Sequence, residues 1–186
     1  MTSTWNSRLG FEPEGCNMAS SFHIRVHHDQ FAFCSAHFIT FAGHRCEHLH
    51  GHNYRVAVEL EGPLDDNRYV FDFIALKKCM QEITRQLDHR MLIPTQSEQL
   101  QCHHDVEKVI LTFETRTWCF PREDCVMLPV ANTTAEELAN YIASQLLTHL
   151  EQLYAFKPAT ISVTVEEGPG QFAIYRQSSV SGGMLD

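Results

Sequence analysis

Between residues 46 and 54 the chain reads CEHLHGHNY, which sets Cys46, His48, His50 and His52 at alternate positions. Imidazole and thiolate are the commonest ligands of zinc. Alternation is the period of a β-strand, so such side chains share one face. His50 and His52, at i and i+2, would have Cα atoms about 6–7 Å apart, close enough to converge on one cation. A catalytic zinc takes three protein ligands and keeps an open position, whereas a structural one takes four. His37 ends an aromatic-rich stretch and is the candidate third ligand if an antiparallel neighbour brings it alongside. Gly51 leaves room for two backbones to approach. His48 precedes the regular alternation and is the weaker candidate. Cys46 has two readings: a fourth ligand that closes a structural site, or a free thiol beside an open one, available as a base. Ordinary strand histidines are the bland alternative for a lone His-x-His.

The elements that must hold these residues are legible in part. FHIRVHHDQFAFCSAHFITF, residues 22–41, is rich in aromatic and β-favouring residues and predicts one strand or a bent pair ending near His37. HGHNYRVAVELEG alternates, with His50, His52 and Tyr54 on the parity of Val56, Val58 and Leu60. DFIALKKCMQEITRQLDHR switches to helical spacing, its stripe being Leu76, Cys79, Met80, Ile83 and Leu87, with Asp72 placed to cap the first turn. VEKVILTF and WCFPREDCVMLPV predict a hairpin joined by ETRT. NTTAEELANYIASQLLTHLEQL predicts a second helix with Thr134 and Glu137 as a capping box. ATISVTVEE, GPGQ and FAIYR close the chain as another hairpin. Strands and helices do not alternate regularly, so an antiparallel α+β sheet with helices on one face fits better than a doubly wound parallel one.

Bulk properties narrow the function. The sequence has 186 residues, 44% hydrophobic and 20% charged, which suits one globular domain. Its net charge of −9 disfavours nucleic acid as a partner. No apolar run is long enough to span a membrane. Residues 1–21 read as a flexible leader without a secretory signal, and 178–186 as a flexible tail. Seven irregularly spaced cysteines then imply reduced thiols in the cytoplasm. Twelve histidines is a high count, and five fall between positions 37 and 52.

FCSAHF followed by CEHLHGHNY resembles the zinc signature of the 6-pyruvoyl-tetrahydropterin and 6-carboxytetrahydropterin synthase family. VFDF, LDHRMLIP, NTTAEELANYI and VEEGPGQFAIY follow in that family's order, so the resemblance covers roughly residues 22–177. It implies the tunnelling fold (T-fold), a four-stranded antiparallel sheet with two helices on one face, as a single domain. It implies Zn2+ on His37, His50 and His52, and Cys46 as the base. It implies Asp88 and His89 as a second proton-transfer pair. Glu167 would grip the pterin's amino-pyrimidine edge, with Thr134 and Glu136 lining the same pocket. The expected substrate is 7,8-dihydroneopterin triphosphate, and the expected assembly a homohexamer built from two trimers with sites between subunits. The expected product is 6-carboxytetrahydropterin, because the Cys-x-x-x-His-Gly-His spacing resembles that branch. The runner-up is 6-pyruvoyltetrahydropterin, followed by a pterin- or purine-binding protein without turnover. Two departures stand out: Asn-Thr-Thr in place of Asn-Pro-Thr, and 42 residues from Arg90 to Ala131 where compact relatives have a short connection; Glu47 is a competing base, since some relatives use a glutamate near this position. The extra hairpin, about 105–130, falls in that connection.

Overall fold

The computed structural model describes residues 21–27 and 31–179. All but Ser21 of the expected leader lies outside the described residues, as do residues 180–186 of the tail. In chain order the first five strands are β1 (Phe22–His27), β2 (Phe33–His37), β3 (Thr40–Phe41), β4 (Arg45–Cys46) and β5 (His50–Gly62). Helix α1 (Phe73–Leu87) leads into β6 (Arg90–Pro94), β7 (Gln101–His104), β8 (Lys108–Phe113), β9 (Arg116–Pro121) and β10 (Cys125–Leu128). Helix α2 (Ala135–Tyr154) precedes β11 (Thr160–Gly168) and β12 (Gln171–Ser178). No helix among the described residues is long and apolar enough to cross a membrane.

Four antiparallel strands form the body of the sheet. β1 and β2 lie along one side of β5: β1 pairs with its second half and β2 with its first. The other side of β5 takes β11, and β11 takes β12. The alternation read from the sequence settles which face is buried. Tyr54, Val58, Leu60, Val163 and Val165 have no exposed surface and pack with Leu76, Met80 and Leu87 of α1 and with Leu138, Ile142 and Leu146 of α2. Both helices therefore share one core with one face of the sheet. Asp72 caps α1 by accepting the Ala75 N–H at 2.8 Å, and Thr134 caps α2 by accepting the Glu137 N–H at 3.4 Å.

The sheet is wider than those four strands. β6 runs parallel to β2, and β10 parallel to β6. The insertion also differs from the single hairpin expected over about 105–130. It is a three-stranded antiparallel sheet, β7–β8–β9, spanning Gln101–Pro121. WCFPREDCVMLPV breaks after Pro121, which has no N–H to continue a ladder. A single 3-10 turn, Arg122–Asp124, then sends Cys125–Leu128 into the main sheet. Val109, Leu111 and Phe113 of β8 are buried and form a second core with Phe38, Met91 and Ile93. The insertion is thus anchored beside the end of β2, where His37 stands.

Candidate metal centre and its surroundings

His37 is paired directly with His50 across β2 and β5, and Ser35 with His52. All three histidines lie on the core face, at the end of the sheet where apolar side chains give way to polar ones. Their ligand atoms fall within 4.8 Å of one another. The ring centroids of His37–His50, His50–His52 and His37–His52 are 4.7, 4.8 and 5.2 Å apart. The close approach of the strands depends on Gly51: a Cβ there would meet the Ser35 carbonyl oxygen at 3.2 Å.

Hydrogen bonds to carbonyls set the tautomers. His37 Nδ1 lies 2.9 Å from the Thr133 oxygen, and His50 Nδ1 lies 2.8 Å from the His48 oxygen. A carbonyl only accepts, so each Nδ1 carries the proton and each Nε2 presents its lone pair. Burial pushes the His37 pKa down, which keeps that imidazole neutral. Three converging imidazoles, two of them oriented through Nδ1 by a backbone carbonyl, suit Zn2+. Cys46 is not part of this cluster.

Behind the histidines, the buried Tyr54 hydroxyl donates to Glu167 Oε1 at 3.3 Å and lies 3.2 Å from His37 Nε2. Burial, reinforced by Glu167, pushes its pKa up, so it stays a phenol. The same Glu167 oxygen is 3.3 Å from His37 Nε2 and 3.5 Å from His52 Nε2. Glu167 sits where the β11–β12 register shifts, between Glu166 and Gly168. Glu166 pairs with Arg55 in β5, accepts the Gly170 N–H at 3.1 Å and belongs to the other face.

Glu47 borders the cluster from the loop leading into β5, and Cys46 before it packs against the second core. The half-buried Cys46 Sγ lies 3.5 Å from the Glu47 carbonyl oxygen, and Glu47 Oε2 lies 3.9 Å from His50 Nε2. Burial pushes the Cys46 thiol up; the Arg116 guanidinium opposes this and the Glu47 carboxylate adds to it.

The structure separates the Asp88–His89 pair from the histidines of its own chain. His89 Nδ1 is 2.9 Å from Asp88 Oδ2, and Asp88 Oδ1 accepts the Cys34 N–H at 2.8 Å, the contact that most lowers the Asp88 pKa. His89 lines a groove of about 360 Å³ with Cys34, Ala36, Leu49 and Gly51. Those β2 and β5 residues have the opposite parity to His37, His50 and His52, so the groove opens on the other face of the sheet. At the start of α2, Thr134 is the cap and Glu136 is exposed on the first turn.

Sequence reasoning missed Thr133, Asn132, Tyr54 and Arg116. Thr133 is buried and supplies the carbonyl that orients His37. Asn132 accepts the Thr133 N–H at 3.0 Å and donates to the Thr40 carbonyl at 2.7 Å, fixing that turn to β3. The signal was present in the polar run Asn-Thr-Thr, but it also spells an ordinary helix cap.

A four-stranded antiparallel core with both helices on one face and three histidines at its end defines a T-fold protein of the α+β class. The 6-pyruvoyl tetrahydropterin synthase family model matches residues 26–178, and the chain belongs to that family. A Methanocaldococcus jannaschii protein provisionally named a 6-carboxy-5,6,7,8-tetrahydropterin synthase is 36% identical over 151 residues, covering 81% of this chain and 92% of its own. The Haemophilus influenzae 6-carboxy-5,6,7,8-tetrahydropterin synthase is 27% identical over 153 residues, covering 80% and 96%. The crystal structure of 6-pyruvoyl tetrahydropterin synthase from Plasmodium vivax superimposes with a TM-score of 0.79 at 34% identity, covering 87% of this chain and all of that one. A catalytic-residue mutant of the Plasmodium vivax protein, with glutamate changed to alanine, superimposes with a TM-score of 0.79 at 33% identity over the same shares.

Proposed function

We propose that this chain is a zinc-dependent lyase that converts 7,8-dihydroneopterin triphosphate to 6-carboxy-5,6,7,8-tetrahydropterin. The observation that carries the reading is the convergence of His37, His50 and His52 within 4.8 Å in a chain of this family. His37, His50 and His52 would hold the zinc. Bound there, zinc supplies a Lewis acid for the hydroxyls of the substrate's side chain. The protein's own groups do the rest. Cys46 takes a side-chain proton as general base; burial pushes its thiol up, and the Arg116 guanidinium offsets part of that rise. Asp88 orients His89 as the second proton carrier. Glu167 accepts the paired N–H groups of the pterin edge, and Tyr54 holds that carboxylate in place. Thr134 and Glu136 bound the pterin pocket from the start of α2.

His89 opens on the face opposite the histidines of its own chain, which favours a site completed by a neighbouring copy. We therefore infer a homo-oligomer, a hexamer of two trimers by likeness to the family. Six free thiols among the described residues suit a cytoplasmic setting.

A second reading makes Glu47 the base. Its carboxylate is 3.9 Å from His50 Nε2, whereas the Cys46 thiol faces a carbonyl of its own loop. The mutant relative from Plasmodium vivax also carries its catalytic-residue change at a glutamate. Turnover of the Cys46→Ala and Glu47→Gln variants separates the two. On the first reading Cys46→Ala keeps its zinc and loses roughly 10²–10⁴-fold in rate, the size of a general-base contribution. Unchanged turnover in Cys46→Ala with that loss in Glu47→Gln selects the second.

A further inference from the structure

We propose that Arg116, carried by the inserted sheet, is a positioning residue that fixes the Cys46–Glu47 peptide against the histidine cluster. The proposal deepens the reading above and rests on it. Arg116 opens β9 directly after the tight turn at Glu114 and Thr115, so it stands at the tip of the β8–β9 hairpin. From there Nη1 donates to the Cys46 carbonyl at 2.8 Å and Nη2 to the Glu47 carbonyl at 3.1 Å. Two N–H groups in a rigid planar fork on two successive carbonyls fix the orientation of the Glu47–His48 peptide and of the Cys46–Glu47 peptide before it; an ammonium has donors but not that fixed planar spacing. The side chains of both candidate bases leave the backbone at either end of the Cys46–Glu47 peptide.

The fork is itself held. The guanidinium lies 4.6 Å from the centroid of the Trp118 ring, and Trp118 stacks on Phe38 with ring centroids 4.5 Å apart at 25°. Phe38 is fully buried and follows His37 in the chain. A continuous run of contacts therefore leads from the end of β2, beside a proposed zinc ligand, through Trp118 and Arg116 to the Cys46–Glu47 backbone. Otherwise that loop is tied by the two-residue β3–β4 pairing and by the Glu47 N–H donating to the Ile39 carbonyl at 3.0 Å. Ala42 and Gly43, both at positive φ, make the turn between β3 and β4 and lend it no further hold. The insertion thus reaches the Cys46–Glu47 backbone through the Arg116 side chain.

The test compares zinc-loaded wild type with Arg116→Met, Arg116→Lys and Arg116→Ala. With 7,8-dihydroneopterin triphosphate, Arg116→Met should lose about 10–100-fold in kcat, the usual effect of misplacing a reacting group by about 1 Å, with KM and zinc content nearly unchanged. Arg116→Lys should fall between it and wild type, and millimolar methylguanidinium should restore part of the kcat of Arg116→Ala. Hydrogen exchange gives a readout independent of turnover: amides of residues 44–49 should exchange faster in Arg116→Met while those of β5 and β11 stay protected. Unchanged exchange at 44–49 overturns the proposal, even if the wild type proves inactive on this substrate. So does a kcat loss that methylguanidinium leaves untouched, the mark of a staple that only stabilises the fold.

Discussion

His37 shows how far a single residue is determined by its setting. The strand period and the end of an aromatic run mark it in the sequence, as they do His50 and His52. What fixes its function, the Thr133 carbonyl and the Tyr54 hydroxyl, comes from 96 and 17 residues away and leaves no local pattern. Arg116, 70 residues from Cys46, is hidden for the same reason. Glu167 gives the sharpest prediction at this scale. Its oxygen shares a corner with Tyr54, His37 and His52, while Glu166 faces the other way. Glu167→Gln should weaken pterin binding by about 2–5 kcal/mol, the cost of losing one member of a buried charge-assisted pair. Zinc content should stay the same. Glu166→Gln should bind pterin as wild type does, because its amide oxygen still accepts the Gly170 N–H. Pterin titrations on the two variants check this, and exchanged behaviour would assign the pterin contact to Glu166.

At the scale of elements, those with a long, clean period were legible: α1, α2, β5 and the closing hairpin. β6, β7 and β10 were not read as separate strands. They have four or five residues each, and their pairing depends on the second core or on a parallel neighbour that no turn announces. β5 depends on close packing at Gly51. Gly51→Ala would press a methyl group against the Ser35 backbone and force β2 away from β5 by a few tenths of an ångström. The expected cost is about 1–3 kcal/mol in urea unfolding, as for other overpacked sites, together with weaker zinc binding, since His37 and His50 face each other across that pair. β10 gives a pH test. Burial raises the Cys125 thiol to about 11 from an ordinary 9.0. As pH rises through that window the unfolded chain releases its thiol proton first, which favours unfolding. Reduced protein should therefore lose stability between pH 9 and 11, and Cys125→Val should flatten that decline in thermal melts.

For the molecule as a whole, the described residues leave two kinds of chemistry apart that the proposed reaction needs together. The histidines and the Cys46–Glu47 loop border one face of the sheet, and Asp88–His89 opens on the other. β12, an edge strand with β11 as its partner, bears the exposed Phe172 and Ile174. A second copy pairing along such an edge would satisfy its unpaired backbone, as the proposed homo-oligomer requires. Sedimentation should accordingly give a mass several times the 21.3 kDa of one chain, and a single-chain mass would contradict the assembly. Cys46→Ala and His89→Ala, each inactive alone, should regain turnover when unfolded and refolded together, because some sites then combine the intact half of each. No recovery would place the whole site within one chain. The most direct measurement of the central claim is incubation of the zinc-loaded protein with 7,8-dihydroneopterin triphosphate, followed by mass analysis of the products. The account predicts 6-carboxy-5,6,7,8-tetrahydropterin with acetaldehyde and triphosphate released, and loss of all three when a chelator removes the metal. A pyruvoyl pterin would contradict the assigned product, and tight pterin binding without turnover would contradict the enzyme.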